Sequence, residues 1–405
     1  MSSAFFDELN QRGLVYQSTP GVEQALEKGT TLYFGIDPTG ADLHVGHLLG
    51  LLFLRRALQA GNRIILLVGG GTSMIGDPSG KESERPIMSI EQIEANKEKL
   101  KTQISRFFTF DGEKVKMVDN ADWLNTLTVV NFLRDTGKYI SINSMLDKDS
   151  VQSRIGREEG ISYAEFSYQL LQSYDFMTLF EDQGCEVQIG GSDQWGNIVQ
   201  GVELIRKRLG KQAYALSFPL IVNPKTGKKF GKTETGAAIW LDSEKTHPFA
   251  FYNFFINTED ELAPLLLRYF SFKEVSEIEN IIEKGKVEPE KRLVQKALAL
   301  EMTELVHGRE KAEQAQKVAQ ILYEKGEEKL TEADMEFVKN ALPYVKKTDE
   351  QIADLVQLLF DLGLAPSKGE ARRLVEQNGA RLESISPRFS LLRKGKKEYG
   401  VVETP

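Results

Sequence analysis

From Thr31 the chain runs through a short apolar stretch, Thr-Leu-Tyr-Phe-Gly-Ile, breaks at a Pro/Gly turn, and continues as a long apolar helical pattern from Leu43 to Ala60. A second apolar run follows at Arg63–Val68. Strand, helix and strand at this spacing predict a βαβ unit in a parallel sheet. Such sheets bind ligands outside the carboxyl ends of their strands, where the loops Asp37–Asp42 and Gly69–Gly80 fall. Glu186–Ile189 reads as a later strand ending in Gly190-Gly191-Ser192-Asp193, and Ser217–Val222 as another. The helical patterns over residues 120–183 predict an insertion in the sheet topology. Beyond His247 helical patterns continue through Lys325. Glu324–Lys329 and Pro343–Asp349 then mark boundaries before a small terminal unit from Gln351 onward.

Length supports this division, because 405 residues exceed the roughly 250–300 at which a single core stops growing. With 41% hydrophobic and 27% charged residues, the chain has ample material for packed cores. The net charge of −8 argues against a uniformly basic nucleic-acid coat, but not against a local basic face. A single cysteine, Cys185, cannot form an internal disulfide and reads as a buried structural thiol in a reducing compartment. No apolar stretch reaches the roughly 20 residues of a membrane span, and the first residues carry no signal pattern. A cytoplasmic location without membrane association is the resulting expectation.

Two segments carry candidate chemistry. His44-Val45-Gly46-His47 sits where the first turn becomes a helix, so both imidazoles share one face of the first turn, and a helix N-terminus there attracts phosphate. Gly46 lets a flat base or a phosphate approach the backbone. An isolated His-x-x-His pair is more often surface polarity, and without a third ligand nearby it does not predict a metal site. Lys228-Lys229-Phe230-Gly231-Lys232-Thr233 concentrates cations around a glycine. Alone it is more often a solvated turn; its other use is a clamp on polyphosphate.

Taken together, in this order and separation, these segments resemble the two signature motifs of class I aminoacyl-tRNA synthetases, and Lys229-Phe230-Gly231-Lys232-Thr233 looks like the tyrosyl, bacterial-type form. Leu32–Pro38, Gly76-Asp77-Pro78-Ser79-Gly80-Lys81, Phe166–Gln172 and Gln188–Asn197 match the same family. The resemblance implies a Rossmann-like α/β domain over 1–222 with its insertion at about 120–183, and a mobile signature loop and linker over 223–246. It further implies an α-helical domain over 247–330 and a small α+β S4-like RNA-binding domain over 351–405. The implied activity joins tyrosine to tRNA(Tyr), through a tyrosyl-adenylate formed from ATP with Mg2+, by a homodimer without a tightly bound cofactor.

Site roles follow from the resemblance. Tyr168, Gln172 and Asp175 fall at i, i+4 and i+7, one face of a helix, while Phe166, Leu170 and Phe176 point largely elsewhere. Tyr168 and Gln172, with Asp77, are implied to hold the tyrosine ammonium; Tyr33 and Asp175 meet its hydroxyl; Gln188 supports the pocket and Asp37 lines it. For ATP, His44 and His47 contact phosphate, Asp193 holds the ribose, Gln194 lies near the α-phosphate, and Gly35, Thr39 and Gly46 complete the subsite. Lys81, Arg85, Lys229, Lys232 and Thr233 are implied to bind departing pyrophosphate. Gly50 departs from the threonine or proline of many relatives, and glycine there lowers helix stability by up to ~1 kcal/mol relative to alanine. In the terminal unit Lys368, Arg372 and Arg373, with Arg393 and Lys394, form the implied tRNA contacts, although the connection from Asn378 to Arg388 is much shorter than the family pattern.

Rival readings fail on residues or await an assay. Gly71–Gly76 is followed by Asp77-Pro78, which is no P-loop, and no Gly-x-Gly-x-x-Gly follows the first strand. The tryptophanyl enzymes share the fold, but Tyr33 with Asp175 and the Lys-Phe-Gly-Lys-Thr form favour tyrosine. An RNA-binding shell without catalysis is separated by tyrosine-dependent ATP–pyrophosphate exchange.

Overall fold

The computed structural model describes residues 4–79, 88–156, 160–222, 230–231, 237–324, 328–395 and 398–405. Two compact units emerge: Met1–Leu241 with Arg268–Glu279, and Asp242–Leu267 with Asn280–Pro405.

The first unit is built on a six-stranded sheet of β1 (Gln17–Ser18), β2 (Thr31–Ile36), β3 (Arg63–Val68), β4 (Val115–Asp119), β5 (Cys185–Gly191) and β6 (Tyr214–Phe218). Its order is β1-β6-β5-β2-β3-β4, with β1 antiparallel to β6 and every other pairing parallel. In β3 all five residues after Arg63 are buried, as expected of a parallel strand covered on both faces. The strand order reverses between β2 and β5, the switch point at which open α/β sheets bind ligands. Tyr33 of β2 lies in register with Gln188 of β5 at that point.

Helices α1 (Val45–Gln59), α2 (Ile90–Ile104), α3 (Tyr163–Gln183) and α4 (Trp195–Leu209) accompany the sheet. Short helices fill the chain between β4 and α3. The strand read as Ser217–Val222 instead ends at Phe218, because Pro219 has no N–H to donate to a ladder. β4 was not read from the sequence at all. Cys185 is buried, and burial pushes its thiol well above the ordinary range.

The second unit packs α5 (Pro248–Ile256) against α6 (Leu293–His307) and α7 (Arg309–Tyr323) through buried Phe249, Phe251, Tyr252 and Phe255. α8 (Leu355–Asp361) and α9 (Lys368–Glu376) precede a sheet of order β7-β10-β9-β8, formed by β7 (Tyr344–Lys346), β8 (Ala380–Ser384), β9 (Phe389–Lys394) and β10 (Glu398–Glu403). β7 pairs with β10, so this sheet draws on residues before Gln351. The shortened connection is a direct turn between β8 and β9, with the N–H groups of Ile385 and Ser386 bonded to Phe389 O. Leu358, Leu359, Leu392 and Val402 close its core, and the Tyr399 hydroxyl donates to Leu322 O of α7.

Candidate active site

β2, β3 and β4 deliver loops to one edge of the sheet, and their side chains interlock there. Tyr168 on α3 donates its hydroxyl to Asp37 Oδ2 at 2.9 Å, while Asp37 Oδ1 accepts from Thr72 Oγ1 at 2.8 Å. Thr72 Oγ1 in turn accepts from Asn120 Nδ2 at 2.9 Å, and Asn120 Nδ2 also reaches Asp175 Oδ2 at 2.9 Å. Trp123 Nε1 donates to Asp175 Oδ1 at 2.7 Å. One chain of hydrogen bonds therefore joins Asp37, expected to line the site, to Asp175, expected at the tyrosine hydroxyl.

Asn120 and Trp123 are the functional neighbours that sequence reasoning missed. Asn120 follows directly on β4, fully buried, with its Oδ1 accepting from Gly71 N at 2.8 Å. Recognising Val115–Asp119 as a strand would have put Asn120 at a carboxyl end, where polar residues face the site.

The buried end of the pocket is electrostatically unusual. Burial raises the Asp175 carboxyl to about 7, against the lowering effect of the Asn120 and Trp123 hydrogen bonds and with the charges of Asp37 and Asp119 adding. Tyr33 is 1% exposed and its hydroxyl has no hydrogen-bond partner among the described residues. The same is true of Gln188 Oε1, on the neighbouring strand. Burial, then Asp175, drives the Tyr33 hydroxyl well above its ordinary range. Phe176, which periodicity pointed elsewhere, packs on the Tyr33 ring with centroids 5.3 Å apart. Buried polar groups without partners are disfavoured unless a ligand satisfies them.

At the other end Asp77 Oδ2 accepts from Gln194 Nε2 at 2.6 Å and Gln194 Oε1 from Gln172 Nε2 at 3.3 Å. Asn197 Nδ2 donates to Gln172 Oε1 at 3.0 Å. Asp77, Gln172 and Gln194 thus form one cluster a short distance along α3 from Tyr168.

The first histidine segment caps α1. His44 Nδ1 accepts from Gly46 N at 3.0 Å, and His47 Nδ1 accepts from His44 N at 3.2 Å. Two of the helix's free N–H groups are thereby satisfied by imidazole. The rings lie 4.0 Å apart, and burial followed by the His44 charge lowers the His47 pKa to about 3, leaving a neutral ring at physiological pH. Phe230 and Gly231 of the second segment come directly against this turn: a Cβ on Gly231 would meet Gly46 N at 3.1 Å, and Ile239 donates its N–H to Gly231 O while its carbonyl oxygen accepts from Val45 N at 3.0 Å. Gly35 is exposed, and Thr39 N donates to Asp37 O. Asp193 lies in the 3₁₀ turn Ser192–Gln194 after β5. Lys81, Arg85, Lys229, Lys232 and Thr233 lie outside the described residues. A separate cleft of about 450 Å³, lined by Thr31, Arg63, Lys114 and Lys116, lies at the amino ends of the strands and contains none of the expected site residues.

In the second unit Lys368, Arg372 and Arg373 are exposed on α9, with the Lys368 ammonium 5.9 Å from the Phe360 ring. Arg393 and Lys394 are adjacent on β9 and so point to opposite faces. Arg393 packs on Tyr399 at 5.6 Å beside Arg381, its partner in register, whereas Lys394 pairs with Glu398 at 3.0 Å. Arg393 and Lys394 therefore do not share a face, and Arg381 lies beside Arg393.

Comparison with known proteins agrees with this geometry. Residues 25–324 match the family tRNA synthetases class I (W and Y). A tyrosine–tRNA ligase 2 of Enterococcus faecalis is 46% identical over 422 aligned positions, covering 98% of this chain and 99% of that one. A tyrosine–tRNA ligase 1 of Bacillus subtilis is 45% identical over 418, covering 98% of each. Among solved structures, a C-terminally truncated Aspergillus nidulans mitochondrial tyrosyl-tRNA synthetase superposes with a TM-score of 0.69 at 31% identity, covering 78% of this chain and 93% of that one. With the family model matching residues 25–324 and relatives this similar over nearly its whole length, the chain belongs to the class I aminoacyl-tRNA synthetases of the tryptophanyl and tyrosyl family, among the bacterial tyrosyl-tRNA synthetases.

Proposed function

We propose that this tyrosine–tRNA ligase selects its amino acid with the Asp37–Thr72–Asn120–Asp175 chain and forms tyrosyl-adenylate at the switch between β2 and β5. The observation that carries the reading is the buried pair of Tyr33 and Asp175, an unpartnered hydroxyl beside a carboxylate held by two donors. A phenolic hydroxyl entering there donates to Asp175 and accepts from Tyr33. Phenylalanine would leave the Tyr33 hydroxyl unpaired and give Asp175 no donor beyond Asn120 and Trp123, a form of discrimination for which tyrosyl enzymes are themselves a standard example. Asp77, Gln172 and Tyr168 surround the ammonium.

The substrate carboxylate attacks the α-phosphorus of Mg-ATP, and pyrophosphate leaves; a ribose hydroxyl of the tRNA's terminal adenosine then attacks the tyrosyl carbonyl, forming the ester and releasing AMP. No protein nucleophile is required, so the chain contributes position and charge. His44 and His47, fixed by the helix cap, offer donors to phosphate. Asp193 and Gln194 hold the ribose and α-phosphate, while Lys81, Arg85, Lys229, Lys232 and Thr233 take the pyrophosphate charge.

Lys368, Arg372 and Arg373 supply phosphate contacts to tRNA(Tyr). A homodimer is supported by apolar residues exposed in the insertion, with Val129, Val130 and Tyr163 each 74% accessible and Ile142 65%. No helix among the described residues is long and apolar enough to cross a membrane, which fits a cytoplasmic enzyme. Radiolabelled tyrosine tests the function: the chain should charge tRNA(Tyr) only with ATP present, and failure to charge with any amino acid would refute it.

A further inference from the structure

Helix α2 breaks the apolar pattern expected of its inner face. Its buried stripe runs Ile93, Asn96, Lys97, Leu100, Gln103 and Ile104, so three polar side chains stand where a helix ordinarily packs apolar ones. Two of them hold the loop after β2: Asn96 Nδ2 donates to Pro38 O at 2.9 Å, and Gln103 Nε2 to Asp42 Oδ1 at 2.7 Å. The third, Lys97, is a buried cation, and lysine is almost never buried unless paired. Its ammonium donates to Glu94 Oε1 at 2.7 Å and forms an ion pair with Asp119 Oδ2 at the end of β4. Burial works against the charge, but the hydrogen bonds to Asp119 and Glu94 outweigh it and hold the Lys97 pKa above its ordinary value.

Asp119 connects this cation to the tyrosine pocket. Its Oδ1 accepts from Gly70 N at 3.1 Å and from Ala121 N at 2.9 Å, which ties the loop after β3 to the loop after β4. Those loops carry Thr72, Asn120 and Trp123, the donors to Asp37 and Asp175. The titratable groups around Asp175 are Tyr33 on β2, Asp37 just beyond it, Tyr168 on α3 and Asp119 on β4. Around Lys97 they are Glu94 and Glu98 on α2 itself and Asp119 across from it. Three carboxylates, Asp37, Asp119 and Asp175, thus act on one another, and Lys97 brings a compensating charge to one of them.

We propose that Lys97 is a positioning residue of the tyrosine site: through its ion pair with Asp119 it sets how readily Asp175 accepts from the tyrosine hydroxyl. The inference rests on the proposed function, since it concerns the acceptor named there. Lys97 pins Asp119 and with it the two loops whose side chains hold Asp175. It also offsets the Asp119 charge, which otherwise favours the protonated form of Asp175. That form is the poorer acceptor, because hydrogen bonds to an ionised carboxylate are roughly twice as strong as neutral ones.

The test follows kcat/KM for tyrosine in pyrophosphate exchange from about pH 6 to 9, a profile that reports the groups of the free enzyme. The unaltered chain should lose activity as pH falls through about 7, where Asp175 gains its proton. Lys97→Met, similar in length but uncharged, should move that midpoint up by about 0.5–1 pH unit, a loss of roughly two- to fivefold at pH 7 that nearly disappears at about pH 9. KM for ATP should stay within about twofold, since the pair acts on the amino-acid side. Asp119→Asn should move the midpoint down, because it removes a like charge while its amide oxygen still accepts from Gly70 and Ala121. It carries the test if Lys97→Met fails to fold. Combining the two should bring the midpoint back to within about 0.3 pH unit of the unaltered chain, because the two charges leave together. A loss equal at every pH, or a midpoint unmoved by either single change, would overturn the inference while leaving Asp175 as the acceptor. A flat profile for the unaltered chain would overturn the reading of Asp175, and this inference with it.

Discussion

The tyrosine pocket and the basic face of α9 handle polar groups in opposite ways. In the pocket each carboxylate is buried or half-buried and bound by named donors, and Asn120 spans three partners at once. On α9 three cations stand exposed, held by little more than the helix that carries them. A low-dielectric network makes each member expensive to lose, because its partners are left unpaired. Exposed cations act nearly independently and through salt-sensitive phosphate contacts. Single substitutions should therefore be severe in the first region and graded in the second.

The largest effect is expected from Asp175→Ala, which strands Trp123 Nε1, takes one of two acceptors from Asn120 Nδ2 and removes the acceptor of the tyrosine hydroxyl. With ~1.5–3 kcal/mol for each hydrogen bond to a charged group, kcat/KM for tyrosine should fall by at least ~10²-fold. Asn120→Ala comes next: it touches no substrate, yet a loss of ~10–100-fold is expected from the two carboxylates it helps position. A change under twofold would mean that the network is decoration and that the comparison with α9 fails.

Much of the site could be read from the sequence because β2, α1 and β3 have strong periodicity and the polar residues after them fall on tight turns. β4 escaped because Val-Lys-Met-Val-Asp is short and half polar, and with it went Asn120 and the link between Asp37 and Asp175. The end of β6 was misplaced by reading through Pro219. Arg393 and Lys394 looked like one cluster because adjacency in sequence hides the two faces of a strand. Gly50 seemed a helix defect, since nothing in a linear pattern places the Phe34 ring above it.

A pH profile sharpens the comparison further. If the carboxylate form of Asp175 accepts from tyrosine, KM for tyrosine should rise roughly tenfold between pH 8 and pH 6, as the group near 7 gains its proton. The ligand-free protein should show the reverse in stability: this raised pKa contributes stability that is fully present below 3.8 and lost as pH rises through about 7. Asp175→Asn should consequently raise the melting temperature more at pH 8 than at pH 5. No such dependence is expected for changes on α9.

The smallest effects per residue belong to α9. Lys368→Ala, Arg372→Ala and Arg373→Ala should each weaken tRNA binding modestly, and the triple change should flatten log Kd against log salt by about 2, while pyrophosphate exchange stays unchanged. Point changes are preferable to truncation at Gln351, because β7 and Leu322 both bond to β10, which that deletion would remove.

The most direct measurement is amino-acid-dependent ATP–pyrophosphate exchange with tyrosine and with phenylalanine, on the unaltered chain and on Asp175→Asn. The buried network predicts that the substitution collapses the tyrosine rate while leaving the residual phenylalanine rate nearly untouched, so that selectivity shrinks. Equal losses for the two amino acids would contradict it, showing that Asp175 supports the fold and that the choice of tyrosine is made elsewhere.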